Sequence, residues 1–305
     1  MSYPVWLWIP VTLWAAFAQT LRNAAQRGLT KDLGTLGATL VRFLYGLPFA
    51  ALWLVVVHAV GGFDLPAGNV VFLGWVVLGA VSQIAATALL LKVMTERNFT
   101  LGVAYSKSEI IQVAFFGFVF LGDRVSTPVA IAIALGTAGV LMLAPADRER
   151  PWRALLTGWT SRLALFGIAS GTGFALSAVG FRGAALALHG SSFLMSAATT
   201  LLVAQFVQTL LLGGWLLMRH RDVVLRVLRA WRMSLFAGFM GAAASAGWFT
   251  AMAIEPVAHV RTLGLIELLF SYVVSRRVFR EKLERRELIG IGLLTLGLIV
   301  VALGH

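Results

Sequence analysis

Apolar residues run almost unbroken along this chain for stretches of about 20 positions, the length a membrane-crossing helix needs. Ten such stretches can be read, roughly 5–26, 35–58, 70–92, 99–121, 127–145, 162–187, 192–218, 232–254, 258–276 and 287–303. Their apolar positions are continuous rather than alternating, which predicts helices and not barrel strands. The opening segment, MSYPVWLWIPVTLWAAF, has no basic region and no small-residue cleavage site. It reads as an uncleaved first helix. The connections are short, and the longest, around Asp147–Arg162, is basic and lies near the middle. The fold class expected is an all-α integral membrane protein with ten transmembrane helices and no separate soluble domain.

Composition supports this reading. Of 305 residues, 59% are hydrophobic and 12% charged, with a mean hydropathy of +0.86. A soluble chain carries about 45–50% apolar and roughly 25% charged residues, so soluble enzymes and nucleic-acid binders are excluded. The ten Trp and twenty Phe suit lipid-facing and interfacial positions. With no cysteine, disulfides, thiolate metal sites and cysteine nucleophiles are excluded too.

The net charge of +12 would suggest a polyanion partner if it were not so one-sided. Of the 25 Lys and Arg, nineteen fall in the connections after odd-numbered stretches. Only Arg124 falls in the connections after even-numbered ones or at the termini. Such a bias in short loops is the positive-inside signal. It places the odd-numbered connections in the cytoplasm and both termini outside it. The charge is therefore topological, with attraction to anionic lipid beside it, and no nucleic-acid partner is expected.

The two halves repeat. An offset of 158 carries Asp123 onto Glu281, Glu109 onto Glu267, Val125 onto Leu283, Ile131 onto Ile289 and Gly139 onto Gly297. Each half holds five stretches, an odd number, so tandem halves sit upside down relative to each other. That is the inverted-repeat plan of many secondary transporters, with the substrate site near the midplane between halves. The halves divide as residues 1–146 and 160–305.

Leu121-Gly122-Asp123 precedes a helix running VAIAIALGTAGVLML, and Phe279-Arg280-Glu281 precedes ELIGIGLLTLGLIVVAL. These segments resemble the ends of EamA domains, in the drug/metabolite transporter (DMT) superfamily, and the likeness covers both halves. It implies ten helices in two such domains and a transport function. The family often has a glutamate fourteen residues earlier, before a proline. Glu109 and Glu267 match it, but Ile110 and Leu268 follow them, so no proline breaks either helix there. The family is usually drawn with cytoplasmic termini, whereas the charge count here points outside.

Charged residues at membrane depth cost about 2.5–3.5 kcal/mol each on insertion scales, so they face protein or water. On the fourth stretch, Tyr105, Ser108, Glu109 and Gln112 share a face by their spacing. Lys107 points elsewhere, about 200° round the helix from Glu109. The first stretch carries Gln19, Arg22, Asn23 and Gln26 as a stripe. Arg42 and Tyr45 lie on the second, Gln83 and Thr87 on the third, Gln205 and Gln208 on the seventh, and Gly264, Glu267 and Ser271 on the ninth. The bland reading gives the amides and hydroxyls to helix–helix hydrogen bonds. It also lets Arg22, Arg42, Arg182 and Arg261 snorkel to the headgroups, and makes the two glutamates structural ion pairs. The functional reading takes Glu109, Glu267, Lys107, Tyr105, Gln112, Gln19, Arg22, Arg42, Gln83 and Trp248 as candidates for substrate binding and coupling. The excess of cations over the two deep carboxylates suits an anionic or zwitterionic substrate, and Tyr105, Trp248 and Phe249 could form an aromatic wall.

The expectation is a secondary transporter of a small organic metabolite in a cell membrane, of the bacterial inner-membrane kind, with proton coupling one way to drive it. No Walker A sequence is present to use ATP directly. A flippase for a lipid-linked anion is the alternative, and a membrane-embedded lipid-modifying enzyme a weaker one, since the five histidines are scattered. No catalytic residue, metal or cofactor is expected. The expected partners are a small-molecule substrate and the bilayer, with the chain a monomer or homodimer.

Overall fold

The computed structural model describes residues 4–96, 106–143, 162–188, 192–279 and 285–303. Their regular structure is helical, with no strand among the described residues. A 3₁₀ turn at Val5–Leu7 leads into α1 (Trp8–Leu44). This helix does not stop at residue 26. Arg27 and Lys31, read above as a connection, are good helix formers, and the first arm runs on until Gly34, whose φ of 69° and ψ of 174° are non-helical. Gln26 Nε2 donates to the Ala38 carbonyl at 2.7 Å. In a continuous helix those positions would stand about 18 Å apart, so the chain reverses at Gly34 into a tight helical hairpin.

After a two-residue turn at Tyr45–Gly46 come α2 (Leu47–Gly61), with proline in its first turn and Gly62 as a left-handed cap, and α3 (Val70–Glu96). The Asn69 side chain accepts the Phe72 amide at the start of α3, at 2.7 Å. Next are α4 (Glu109–Leu121), closed by left-handed Gly122, α5 (Thr127–Leu143) and α6 (Arg162–Ala187). The chain continues with α7 (Phe193–Gln208), a π-helical turn at Thr209–Gly213 and α8 (Gly214–Arg219). The basic connection expected around residue 225 holds a helix of its own, α9 (Arg221–Arg229). It buries Val224 and Val227 while Leu225 and Leu228 stay half exposed. The rest is α10 (Trp231–Ile254), α11 (Val257–Leu263), α12 (Ile266–Phe279) and α13 (Arg285–Leu303).

Six of the described stretches are long and apolar enough to cross a membrane: Trp8–Gly61, Val70–Glu96, Leu165–Ala187, Phe193–Arg219, Trp231–Ile254 and Val257–Val274. Glu109–Leu121 and Thr127–Gly139 are shorter apolar helices. The chain is thus a multi-helix membrane protein. Its largest packing interfaces are α1 on α10, α3 on α6 and α5 on α13. Small residues let the backbones close up. A Cβ on Gly173 would lie 2.9 Å from the Ala86 Cβ, and one on Gly247 2.8 Å from the Ala15 Cβ. At Gly171 it would lie 2.7 Å from the Ser108 Oγ, so this glycine is a close-packing position.

The α5–α13 seam is reciprocal. Gly139 packs on Gly290 and Leu294, and Gly297 packs on Ala132 and Gly136. The 158-residue offset that joins Gly139 to Gly297 also joins Ala132 to Gly290 and Gly136 to Leu294. It recurs in the backbone too. The Ile110 amide donates to the Lys107 carbonyl, and the Leu268 amide to the Leu265 carbonyl, each in a turn that opens a helix. Glu281, the sequence partner of Asp123, lies outside the described residues.

Candidate functional site

Two helix starts face each other at the centre. Both interruptions occur without the proline that the family pattern would supply. The turn at Lys107–Ser108 precedes α4, and the turn at Gly264–Leu265 separates α11 from α12. Glu109 and Glu267 each therefore lie in the first turn of a helix, not in the middle of a continuous one. The partial positive charge of a helix start favours a carboxylate there. Gly264 is needed for packing, since a Cβ would come 2.6 Å from the Trp248 ring.

The pairing crosses between the halves. Lys107 Nζ lies 2.5 Å from Glu267 Oε2, and Arg261 Nη1 lies 3.5 Å from Glu109 Oε1. Glu267 accepts two more hydrogen bonds, from Gln19 Nε2 at 2.7 Å and from Asn23 Nδ2 at 2.9 Å. Gln19 in turn accepts from the Trp248 indole at 2.9 Å, and the Arg261 guanidinium lies 4.7 Å from the centre of the Trp248 ring. Asn23 Oδ1 accepts from Arg22 Nη2 at 2.6 Å. Arg42 Nη1 donates to Thr87 Oγ1 at 3.1 Å. The stems of Arg22 and Arg42 both lie against Gly241 of α10, where a Cβ would meet Arg22 Cδ at 3.3 Å and Arg42 Cγ at 3.4 Å.

Snorkelling does not describe these arginines. Arg22 is 1% exposed, Arg42 2% and Arg261 7%. Distance along a helix from the expected membrane face did not reveal that each points into the bundle. Arg182 also turns inward. It donates to the Met252 and Glu255 carbonyls and pairs with Asp123 at 3.1 Å, joining α6 to the end of α10.

Of the candidates named from sequence, Gln19, Arg22, Lys107, Glu109, Trp248 and Glu267 meet in one network, with Arg42 beside it. Gln83 belongs to a separate pair, accepting from Gln208 Nε2 at 2.8 Å. Gln112 makes only long contacts to Ser108 on its own helix. Tyr105 lies outside the described residues. Arg261 and Asn23 join the network, although Arg261 had been read as near the surface. Their signal was the periodic stripe on the first stretch and an arginine six residues before a deep glutamate.

An apolar cavity of about 750 Å³ lies to one side of the network. Trp14, Phe49, Trp53 and Phe239 line it, with Ala242, the chain neighbour of the Gly241 on which Arg22 and Arg42 pack.

These observations define a polytopic helical membrane protein with a buried ionic centre. Residues 161–303 match the model of the EamA-like transporter family, a family of the drug/metabolite transporter superfamily. A solved structure, "Crystal structure of protein", matches with a TM-score of 0.65 at 14% identity, over 97% of this chain and 96% of its own. That likeness concerns the fold alone. A search of curated proteins gives no match.

Proposed function

We propose that the chain is a secondary transporter that moves a small organic anion or zwitterion by alternating access, with the proton as coupling ion. The observation that carries this reading is the buried centre, in which Glu109 and Glu267 each pair with a cation of the other half and Arg22 and Arg42 stand beside them. Charges so deep in an apolar bundle mark substrate and ion paths in membrane proteins. The frame in this reading is ten helices in two inverted five-helix halves, 1–146 and 160–305, in a bacterial inner membrane with both termini outside. The reciprocal α5–α13 seam and the recurrent turn before each glutamate support that frame. So does the exchange of α1–α10 packing for α3–α6 packing when each half is mapped onto the other.

Coupling follows from competition. A substrate carboxylate or phosphate that approaches Lys107 or Arg261 displaces a glutamate from its cation, and the released glutamate then takes a proton. The purified chain in liposomes tests this. Glu109→Gln should remain folded and bind substrate but lose accumulation driven by a pH gradient. Uphill transport with unchanged pH dependence would remove Glu109 from the coupling role, and a mutant that only misfolds would favour a structural pair.

The apolar cavity beside Gly241 favours a second reading, a flippase whose lipid-linked anion holds its chain in the cavity and its head at the arginines. A lipid-translocation assay against the metabolite assay separates the two.

A further inference from the structure

The ionic centre does not balance. Four cations meet there, Arg22, Arg42, Lys107 and Arg261, against two carboxylates, Glu109 and Glu267, and all six side chains are buried. Arg42 lies within electrostatic range of Arg22, Arg261 and Glu267, and Arg22 within range of Glu267 and Arg261. No other described acidic residue can supply the missing charge. Asp32, Asp64 and Glu96 are exposed, Asp222 is held by Arg226 at the surface, Asp123 by Arg182 and Glu255 by His259. The remaining acids, at 147, 149, 281, 284 and 287, fall in or next to the connections between helices.

The donors are incomplete as well. Arg22 Nη1, Arg42 Nε and Arg261 Nε are buried N–H groups with no hydrogen-bond partner. Buried polar groups in folded proteins are almost always satisfied, and buried charge is costly unless paired. Three guanidinium donors on three helical segments, in a centre with two positive charges in excess, describe a receptor for a compact oxyanion.

We infer that the ligand of this centre is a dianion, a single oxyanion group or compact diacid carrying two negative charges, held by the free N–H groups of Arg22, Arg42 and Arg261. This rests on the transporter reading and narrows its substrate from anions in general to doubly charged ones. A phosphate monoester fits, whether free in solution or the headgroup of a lipid. Arg22 and Arg42, on the two arms of one hairpin and side by side on Gly241, suit the fork geometry that such groups accept. On first binding, Glu109 and Glu267 stay on Arg261 Nη1 and Lys107, so the dianion neutralises the excess. The displacement of a glutamate that couples transport follows only when the substrate moves on to Lys107 or Arg261 Nη1.

The test uses the full chain in nanodiscs of neutral lipid, with sulfate and methanesulfonate as probes in titration calorimetry. Both are tetrahedral oxyanions, and they differ by one charge. Sulfate should bind one per chain and at least about tenfold more tightly, the gain of one further charge-assisted contact. Arg42→Gln should bring the two probes level, and Arg42→Lys should keep the preference. Equal binding of both by the wild type, or two methanesulfonates per chain, overturns the dianion and leaves an anion transporter. Binding of neither overturns the anion reading as well. Because the wild-type comparison decides the matter, misfolding of a variant does not obscure it. Displacement of sulfate by glycerol 3-phosphate assigns the dianion to a soluble substrate. Displacement only when phosphatidic acid is added to the nanodiscs assigns it to a lipid.

Discussion

Replacing Glu267 with glutamine tests whether the centre is held by charge. Glu267 Oε2 accepts from Lys107 and Gln19, and Oε1 from Asn23. An amide has one acceptor oxygen. Whichever way it turns, its NH₂ faces a donor, either Asn23 or the Lys107–Gln19 pair. The variant therefore loses at least one hydrogen bond and leaves Lys107 buried without its counter-charge. Breaking a buried pair from one side costs about 3–5 kcal/mol. Lys107→Gln should cost less, roughly half, because Gln19 and Asn23 still donate to the carboxylate and a charge-assisted bond is worth about 1.5–3 kcal/mol. The double variant Lys107→Gln/Glu267→Gln removes both charges. It should be more stable than the single costs predict, by a coupling energy of about 2–3 kcal/mol. Unfolding in mixed micelles, followed by tryptophan fluorescence, measures all four proteins. Single variants within about 0.5 kcal/mol of wild type, with an additive double, would mean that Lys107 and Glu267 are not in contact.

Gly139→Ala should destabilise by about 1–3 kcal/mol, because its Cβ would lie 2.8 Å from the Gly290 carbonyl oxygen and from Leu294 Cγ. Gly292→Ala, with nothing within 4 Å, should be neutral or gain up to about 1 kcal/mol; thermal melts of the two in detergent check both. Gly34→Ala and Gly34→Asn should each cost about 1–3 kcal/mol, because φ 69° with ψ 174° is a backbone conformation nearly confined to glycine, read in the same melts; melts equal to wild type for both would mean that the turn is not at Gly34. A phosphatase fused to the C-terminus should be active and a cytoplasmic reporter inactive there, if the basic connections lie in the cytoplasm.

The positions of the apolar stretches were legible because continuous hydrophobicity is a strong local signal. The special status of Glu109 and Glu267 was legible for the complementary reason, that a carboxylate within such a stretch needs a partner. The pointing of Lys107 away from Glu109 followed from helical spacing. Less could be read where facing depends on packing. Gln83 and Gln112 share the residue type of Gln19 but not its neighbours, and nothing in a single sequence says which amide meets a carboxylate. Arg261 lies only three residues into its apolar stretch, so position along the helix suggested the headgroups. The break before each glutamate was hidden because neither Lys107–Ser108 nor Gly264–Leu265 carries a proline. The hairpin at Gly34 was hidden by Arg27 and Lys31, whose charge mimics a loop although their propensity favours helix.

That hairpin divides the centre into two pieces of machinery. Gln19, Arg22 and Asn23 ride on one arm and Arg42 on the other. A one-residue bend and the Gln26–Ala38 bond tie the arms together, so under the proposed transport cycle they would move as a single jaw. Lys107, Arg261 and the two glutamates belong to the opposing jaw, built on the broken helices α4, α11 and α12. Under the alternating access proposed above, opening and closing of the centre would stretch or relax the bonds from Gln19 and Asn23 to Glu267, while the spacing of Arg22 from Arg42 would stay fixed like the width of a caliper set by a screw. Spin labels across α1 and α12 would report the stroke of such a motion, and labels on the two arms of α1 would serve as its ruler.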